Sequence, residues 1–145
     1  MISKYFSFDD LTTTSHAEHQ AANRLEAEQY RESLTHLATT ILDIFPPHWG
    51  LPRVSSGFRG PTLNARVGGS KTSQHMLGQA ADLQWGDWGT WKTLEAVRRW
   101  FVEQNIPFGQ CIREMNARGG VWLHVSLGER RQLADYRDGV FRVFS

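Results

Sequence analysis

Apolar positions follow two different periods along this chain, and the change of period divides it. In the first third, Tyr30, Leu34, Leu37, Ile41 and Ile44 recur at alternating spacings of four and three. That spacing lays one apolar stripe along a helix over roughly residues 26–45. Ser15-His16-Ala17-Glu18 carries a hydroxyl at a candidate N-cap and a glutamate three residues on, a capping-box pattern. Pro46-Pro47 ends the helical stretch, because proline cannot continue the hydrogen-bond ladder. After Leu51 the texture shortens. Arg53–Ser56 and Ala80–Trp85 read as strands, with Gly57–Gly69 as a loop between them. A helix from about Thr90 to Gln104, capped by Asp87, turns Trp91, Leu94, Val97 and Phe101 inward. The runs Gln110–Glu114 and Val121–Ser126 flank Met115-Asn116-Ala117-Arg118-Gly119-Gly120, a hairpin signal. Val140–Phe144 reads as a final edge strand after a polar stretch over 128–139. Helices first and strands later predict an α+β fold, with N-terminal helices packed on one face of a small antiparallel sheet.

Composition narrows the classes. At 145 residues and 40% hydrophobic content, the chain suits one compact domain over residues 1–145, expected as a monomer. A single cysteine, Cys111, rules out an intramolecular disulfide. Sixteen basic and fifteen acidic residues leave a net charge of +1, which argues against a nucleic-acid partner. No apolar run approaches the roughly 18 residues of a membrane span. Met1–Asp10 lacks the apolar core of a secretory signal peptide, so synthesis in the cytoplasm is expected. There is no internal repeat and no low-complexity tract.

Candidate chemistry lies in His75, Asp82 and His124. The first two stand seven residues apart around Gly78, and His124 sits on the second hairpin strand. Two imidazoles and one carboxylate suit zinc with an open fourth position for water, the arrangement of a catalytic site. The lone cysteine excludes the common structural zinc sites. Spacing alone favours the plainer reading, in which each histidine is a satisfied structural residue.

The surrounding residues change that balance. Ser56-Gly57-Phe58-Arg59-Gly60, Asn64, Val67-Gly68-Gly69 and Ser73-Gln74-His75-Met76-Leu77-Gly78-Gln79-Ala80-Ala81-Asp82 resemble the zinc D-alanyl-D-alanine carboxypeptidase family. That family includes murein endopeptidases, and the resemblance is to its short single-domain branch, common in phage genomes. Pro107-Phe108-Gly109-Gln110-Cys111-Ile112-Arg113-Glu114 and Trp122-Leu123-His124-Val125-Ser126 resemble two later blocks of the same pattern, and Phe6–Thr12 resembles its opening. The resemblance covers most of the chain in the right order. It implies the fold of the hedgehog and D-Ala-D-Ala-peptidase group, and one zinc per chain on His75, Asp82 and His124. It implies hydrolysis of an amide bond in bacterial peptidoglycan stem peptides, with water activated by the metal. It also implies that Arg59 binds substrate or a developing oxyanion, which suits the forked donors of a guanidinium. Ser73 is a candidate substrate contact, or a turn residue. A phage lysin or virion-carried enzyme acting on the host wall is the expected setting.

The general base departs from the pattern. Several relatives carry an acid three residues before the last ligand, where this chain has Val121. Others carry a histidine two before it, where this chain has Trp122. Glu114 is the remaining acid; strand pairing sets it opposite Val121–Trp122, on the face that carries His124. It is therefore the candidate base, the alternative being an exposed hairpin charge paired with Arg113 or Arg118. Two other functions stay open on the sequence: a non-catalytic metal-binding phage structural or wall-binding module, and a dipeptidase for free D-Ala-D-Ala. Gln110 is a weaker candidate, expected to line the sheet. His16, His19 and His36 read as surface residues, and His48 as a loop residue. Trp91 reads as core, and packing is favoured over sugar stacking for Trp85 and Trp88. Arg130, Arg131 and Arg137 read as a solvated face.

Overall fold

A computed structural model describes residues 1–144. Helices α1 (Gln20–Ala27), α2 (Arg31–Thr40), α3 (Pro61–Arg66) and α4 (Trp91–Glu103) accompany six strands. The strands are β1 (Arg53–Ser56), β2 (Ala80–Gln84), β3 (Gln110–Met115), β4 (Val121–Ser126), β5 (Gln132–Arg137) and β6 (Val140–Val143). They form one sheet in the order β1-β2-β4-β3-β5-β6. All neighbours are antiparallel except β3 and β5, which run parallel.

The sheet has one apolar and one polar face because its strands alternate with period two. Ala81 and Leu83 on β2, Leu123 and Val125 on β4, and Cys111 on β3 are buried in the core. Leu34, Leu37, Ala38, Ile41 and Phe45 cover them, together with Leu94, Val97 and Phe101 of α4. The intervening residues, Asp82, His124, Ile112 and Glu114, line a cleft on the opposite face. No helix among the described residues is long and apolar enough to cross a membrane.

The structure differs from the sequence expectations in several elements. The single helix over 26–45 is two helices, α1 and α2, joined through a 3-10 turn at Glu28–Tyr30. The apolar stripe nonetheless holds, because it lies on α2 and its flanks: Leu34, Leu37 and Ile41 are buried, and Tyr30 and Ile44 pack against the core. Ser15 does not cap; a 3-10 turn starts at Ala17 with no side-chain cap bond, and Gln20 Oε1 accepts from Thr14 N instead. The cap of α4 is Thr90, not Asp87: Thr90 Oγ1 accepts from Thr93 N, and Thr93 Oγ1 accepts from Thr90 N. The loop over 57–69 contains α3, started by Pro61 in its first turn. The polar stretch over 128–139 contains β5. Its charged residues are strand residues held by ion pairs: Asp135 bonds Arg113 of β3 and Arg98 of α4.

Candidate metal centre and substrate cleft

Asp82 and His124 face each other directly in the β2–β4 ladder. Their side chains meet on the polar face, with His124 Nδ1 3.0 Å from Asp82 Oδ1. His75 reaches the pair from the 3-10 turn Gln74–Leu77, just before β2. Ser73 caps that turn, its Oγ accepting from His75 N at 3.2 Å. Gly78 ends it at φ +66, and a Cβ there would lie 3.0 Å from Leu34 Cγ. Only glycine meets both demands at no cost. The turn sets His75 Nε2 3.5 Å from Asp82 Oδ1, and the three donor atoms all lie within 4.8 Å of one another.

A backbone carbonyl fixes the state of His75. Nδ1 lies 2.7 Å from Gly57 O. A carbonyl only accepts, so Nδ1 carries a proton, and Nε2 is the ring nitrogen turned toward Asp82. This carbonyl is held in turn. A Cβ on Gly57 would stand 2.3 Å from Leu11 O, so only glycine lets the two backbones lie this close. Phe58 N donates to Leu11 O at 2.8 Å. Buried Asn23 of α1 clamps the same segment, donating to Thr12 O and Phe58 O at 3.0 Å each and accepting from Gly60 N at 2.8 Å. Arg59 N closes the circuit on His75 O at 3.1 Å.

The donor set fits zinc. Ligand bonds of about 2.0–2.1 Å at tetrahedral angles place donors about 3.3 Å apart. The 3.5 and 3.0 Å separations bracket that value. His75 Nε2, an Asp82 oxygen and His124 Nδ1 would hold the ion. Burial pushes the Asp82 carboxyl up, but the charge of His75 and the hydrogen bond from His124 outweigh it. The net effect holds Asp82 well below the usual carboxylate range, in the ionised state that ligation requires. Burial pushes the His124 imidazole down, yet the hydrogen bond to Asp82 and the Asp82 charge carry it above its ordinary value.

Around the three donors opens a cleft of about 840 Å³. Arg59, Ser73 and Glu114 all line it. Glu114 pairs with Trp122 in the β3–β4 ladder, and Trp122 Nε1 donates to Glu114 Oε2 at 3.1 Å. Burial, then the charge of Asp82, pushes the Glu114 carboxyl above its ordinary value. Arg59 Nη2 donates to Ser73 Oγ at 3.4 Å, and its buried Nε has no partner among the described residues. Burial draws the Arg59 guanidinium down from its ordinary value, while Asp82 and Glu114 oppose that shift. A guanidinium remains a cation throughout.

The weaker candidates are also placed. Gln110 lines the cleft, with Nε2 donating to Gln132 Oε1 at 2.8 Å. His16 and His19 flank Glu18 at 4.0 and 3.9 Å, too loosely to form a metal group. Trp85 is buried and Trp88 is exposed, whereas Trp91, expected in the core, is only half-buried and lies outside it, under the Arg113 guanidinium at 3.7 Å. Arg131 is not part of a solvated face: its guanidinium bonds the carbonyls of Val102 and Ile106 and lies over Phe108. Sequence reading missed Asn23, the Gly57 carbonyl and the Trp122 indole as positioning groups. Asn23 had a signal, a polar residue in phase with Ala27 and Leu34 on a buried helix face. A backbone carbonyl has none.

Two comparisons bear on this geometry. A family model described as peptidase M15 matches residues 4–117. A segment of 45 residues is 47% identical to the zinc D-Ala-D-Ala carboxypeptidase of Streptomyces albus G. That match covers 31% of this chain and 18% of the relative.

Proposed function

This chain belongs to the peptidase M15 family, and we propose from that premise that it is a zinc peptidase hydrolysing an amide bond in bacterial peptidoglycan stem peptides. The observation that carries the reading is the convergence of His75, Asp82 and His124 on the floor of a cleft also lined by Arg59 and Glu114. The named substrate of the Streptomyces relative supports the substrate class.

Zinc held by the three donors supplies Lewis acidity toward the scissile carbonyl and an attacking water. The chain's own residues do the rest. Glu114 takes the proton of the water as its oxygen bonds the carbonyl carbon. It then delivers that proton to the nitrogen as the C–N bond breaks. Burial, which raises its pKa, suits a group that must both accept and return a proton. Trp122 occupies one carboxylate oxygen of Glu114 and leaves the other free. Arg59 keeps unused donors for the oxyanion or a substrate carboxylate. Ser73 orients Arg59 and caps the turn that carries His75.

Elemental analysis tests the metal. About one zinc per chain is expected, lost as the pH falls below roughly 6 because histidine ligates only when neutral. A His75→Ala/His124→Ala variant that keeps zinc at wild-type stoichiometry would overturn the assignment.

A further inference from the structure

The cleft extends well past the three donors. Its lining crosses four adjacent strands, from Asp82 on β2 through His124 on β4 and Glu114 on β3 to Tyr136 on β5. Strands lie about 4.8 Å apart, so the span is about 14 Å. An extended residue covers about 3.3–3.6 Å, which makes room for about four residues, whereas a dipeptide needs about 7 Å. The metal donors stand at one end of this span, and two further strands lie beyond them.

That far side carries one cation without a task. Arg130 lines the cleft from the segment between β4 and β5 and is exposed. Among the described residues it makes no ion pair or hydrogen bond. The acids of the cleft are engaged elsewhere, Asp82 with the two histidines and Glu114 with Trp122. The backbone on either side of Arg130 is pinned. Leu127 N donates to Gln79 O at 2.9 Å, Leu127 O accepts from Gln74 Nε2 at 2.9 Å, and Arg131 N donates to Phe108 O at 2.9 Å. Neighbouring Arg131 turns back into the protein, over the Phe108 ring. The segment therefore holds a spare guanidinium at the rim of the cleft, opposite in the sheet order to Arg59.

We propose that Arg130 forms an anion-reading subsite of an extended-peptide cleft, binding a substrate carboxylate away from the scissile bond. The substrate is then an acidic peptide of about four or more residues, not a free dipeptide. The proposal rests on the peptidase reading above and adds the substrate's charge and length.

Equilibrium binding tests it on the zinc-loaded full chain, in a Glu114→Gln background that slows cleavage. The probes are a five-residue peptide ending in D-Ala-D-Ala with one internal carboxylate, its twin with that carboxylate amidated, and D-Ala-D-Ala itself. The acidic peptide is expected to bind about 5- to 30-fold more tightly than its amide twin, in the range of an ionic hydrogen bond partly open to solvent. Arg130→Ala should abolish that difference and leave the amide twin and thermal melting unchanged. Equal binding of acid and amide, an acid preference that survives Arg130→Ala, or a pentapeptide no tighter than the dipeptide overturns the proposal. Loss of the preference in Arg130→Ala, with a zinc-loaded protein carrying the native Glu114 that cleaves neither pentapeptide, would keep the subsite and overturn the peptidase reading instead.

Discussion

Trp122 and Glu114 stand opposite each other in the β3–β4 ladder, and the indole Nε1 donates to Glu114 Oε2 at 3.1 Å. Under the proposed function, this pair would let a carboxylate on β3 serve as the base while position 121 holds valine. A carboxylate has two oxygens; the indole fixes one and thereby aims the other. The same hydrogen bond draws the Glu114 pKa down, against burial and Asp82, which raise it.

Glu114→Gln should keep zinc and fold, and lose roughly 10²–10⁴-fold in kcat, the usual worth of general-base catalysis. Trp122→Phe removes the donor together with one ring of the indole. It should cost roughly tenfold in kcat, and the acidic limb of the pH–rate profile should move to higher pH, since the downward pull on Glu114 is gone. Wild-type turnover in Glu114→Gln would place the base elsewhere.

Arg59→Lys keeps the charge but not the fork. Turnover on wall peptides should fall on the order of 10²-fold, the cost of losing one oxyanion donor. Steady-state kinetics on a purified stem peptide would show it, and unchanged kcat would make Arg59 a loop-ordering residue.

Gly57→Ala should act through the metal. Its new Cβ would stand 2.3 Å from Leu11 O, and neither backbone is free to move alone. The Gly57 carbonyl would then shift from His75 Nδ1. Loss of such an outer hydrogen bond typically weakens metal binding about 10- to 100-fold. Chelator competition measures this, and a wild-type zinc affinity would refute the role given to the carbonyl.

These residues also show how far the chain was legible before its fold was known. The period-two runs Gln110–Glu114 and Val121–Ser126 placed β3 and β4, and with them the facing of Glu114, Trp122 and His124. Local alternation is enough for that. The strand β5 was not legible, because Asp135 and Arg137 break its apolar alternation. Asp135 lies in the sheet only because Arg98 and Arg113, distant in sequence, neutralise it. The contact of Gly57 O with His75 was hidden for a related reason, since a carbonyl leaves no mark in residue type.

Asp135 gives a stability prediction with a sign. It accepts from Arg113 Nε and Nη2 at 3.0 and 2.7 Å and from Arg98 Nη1 at 2.9 Å. Burial pushes its carboxyl up, but the Arg113 hydrogen bond and the Arg98 charge outweigh it, so its folded pKa lies below the ordinary value. Its contribution is therefore present above the unfolded pKa of about 3.9 and lost as the pH falls through the folded value. Asp135→Asn should destabilise by about 2–3 kcal/mol at pH 7, since two half-satisfied guanidinium groups remain. In urea denaturation the gap between variant and wild type should narrow below about pH 4. A gap that is constant with pH would contradict the linkage.

The central claim, a zinc peptidase acting on peptidoglycan stem peptides, is tested most directly by mass spectrometry of purified sacculi incubated with the zinc-loaded protein. Fragments with one water added across a stem-peptide amide bond are expected, and are absent with a His124→Ala control. Sacculi left with every stem-peptide bond intact, by a protein carrying one zinc per chain, would contradict it.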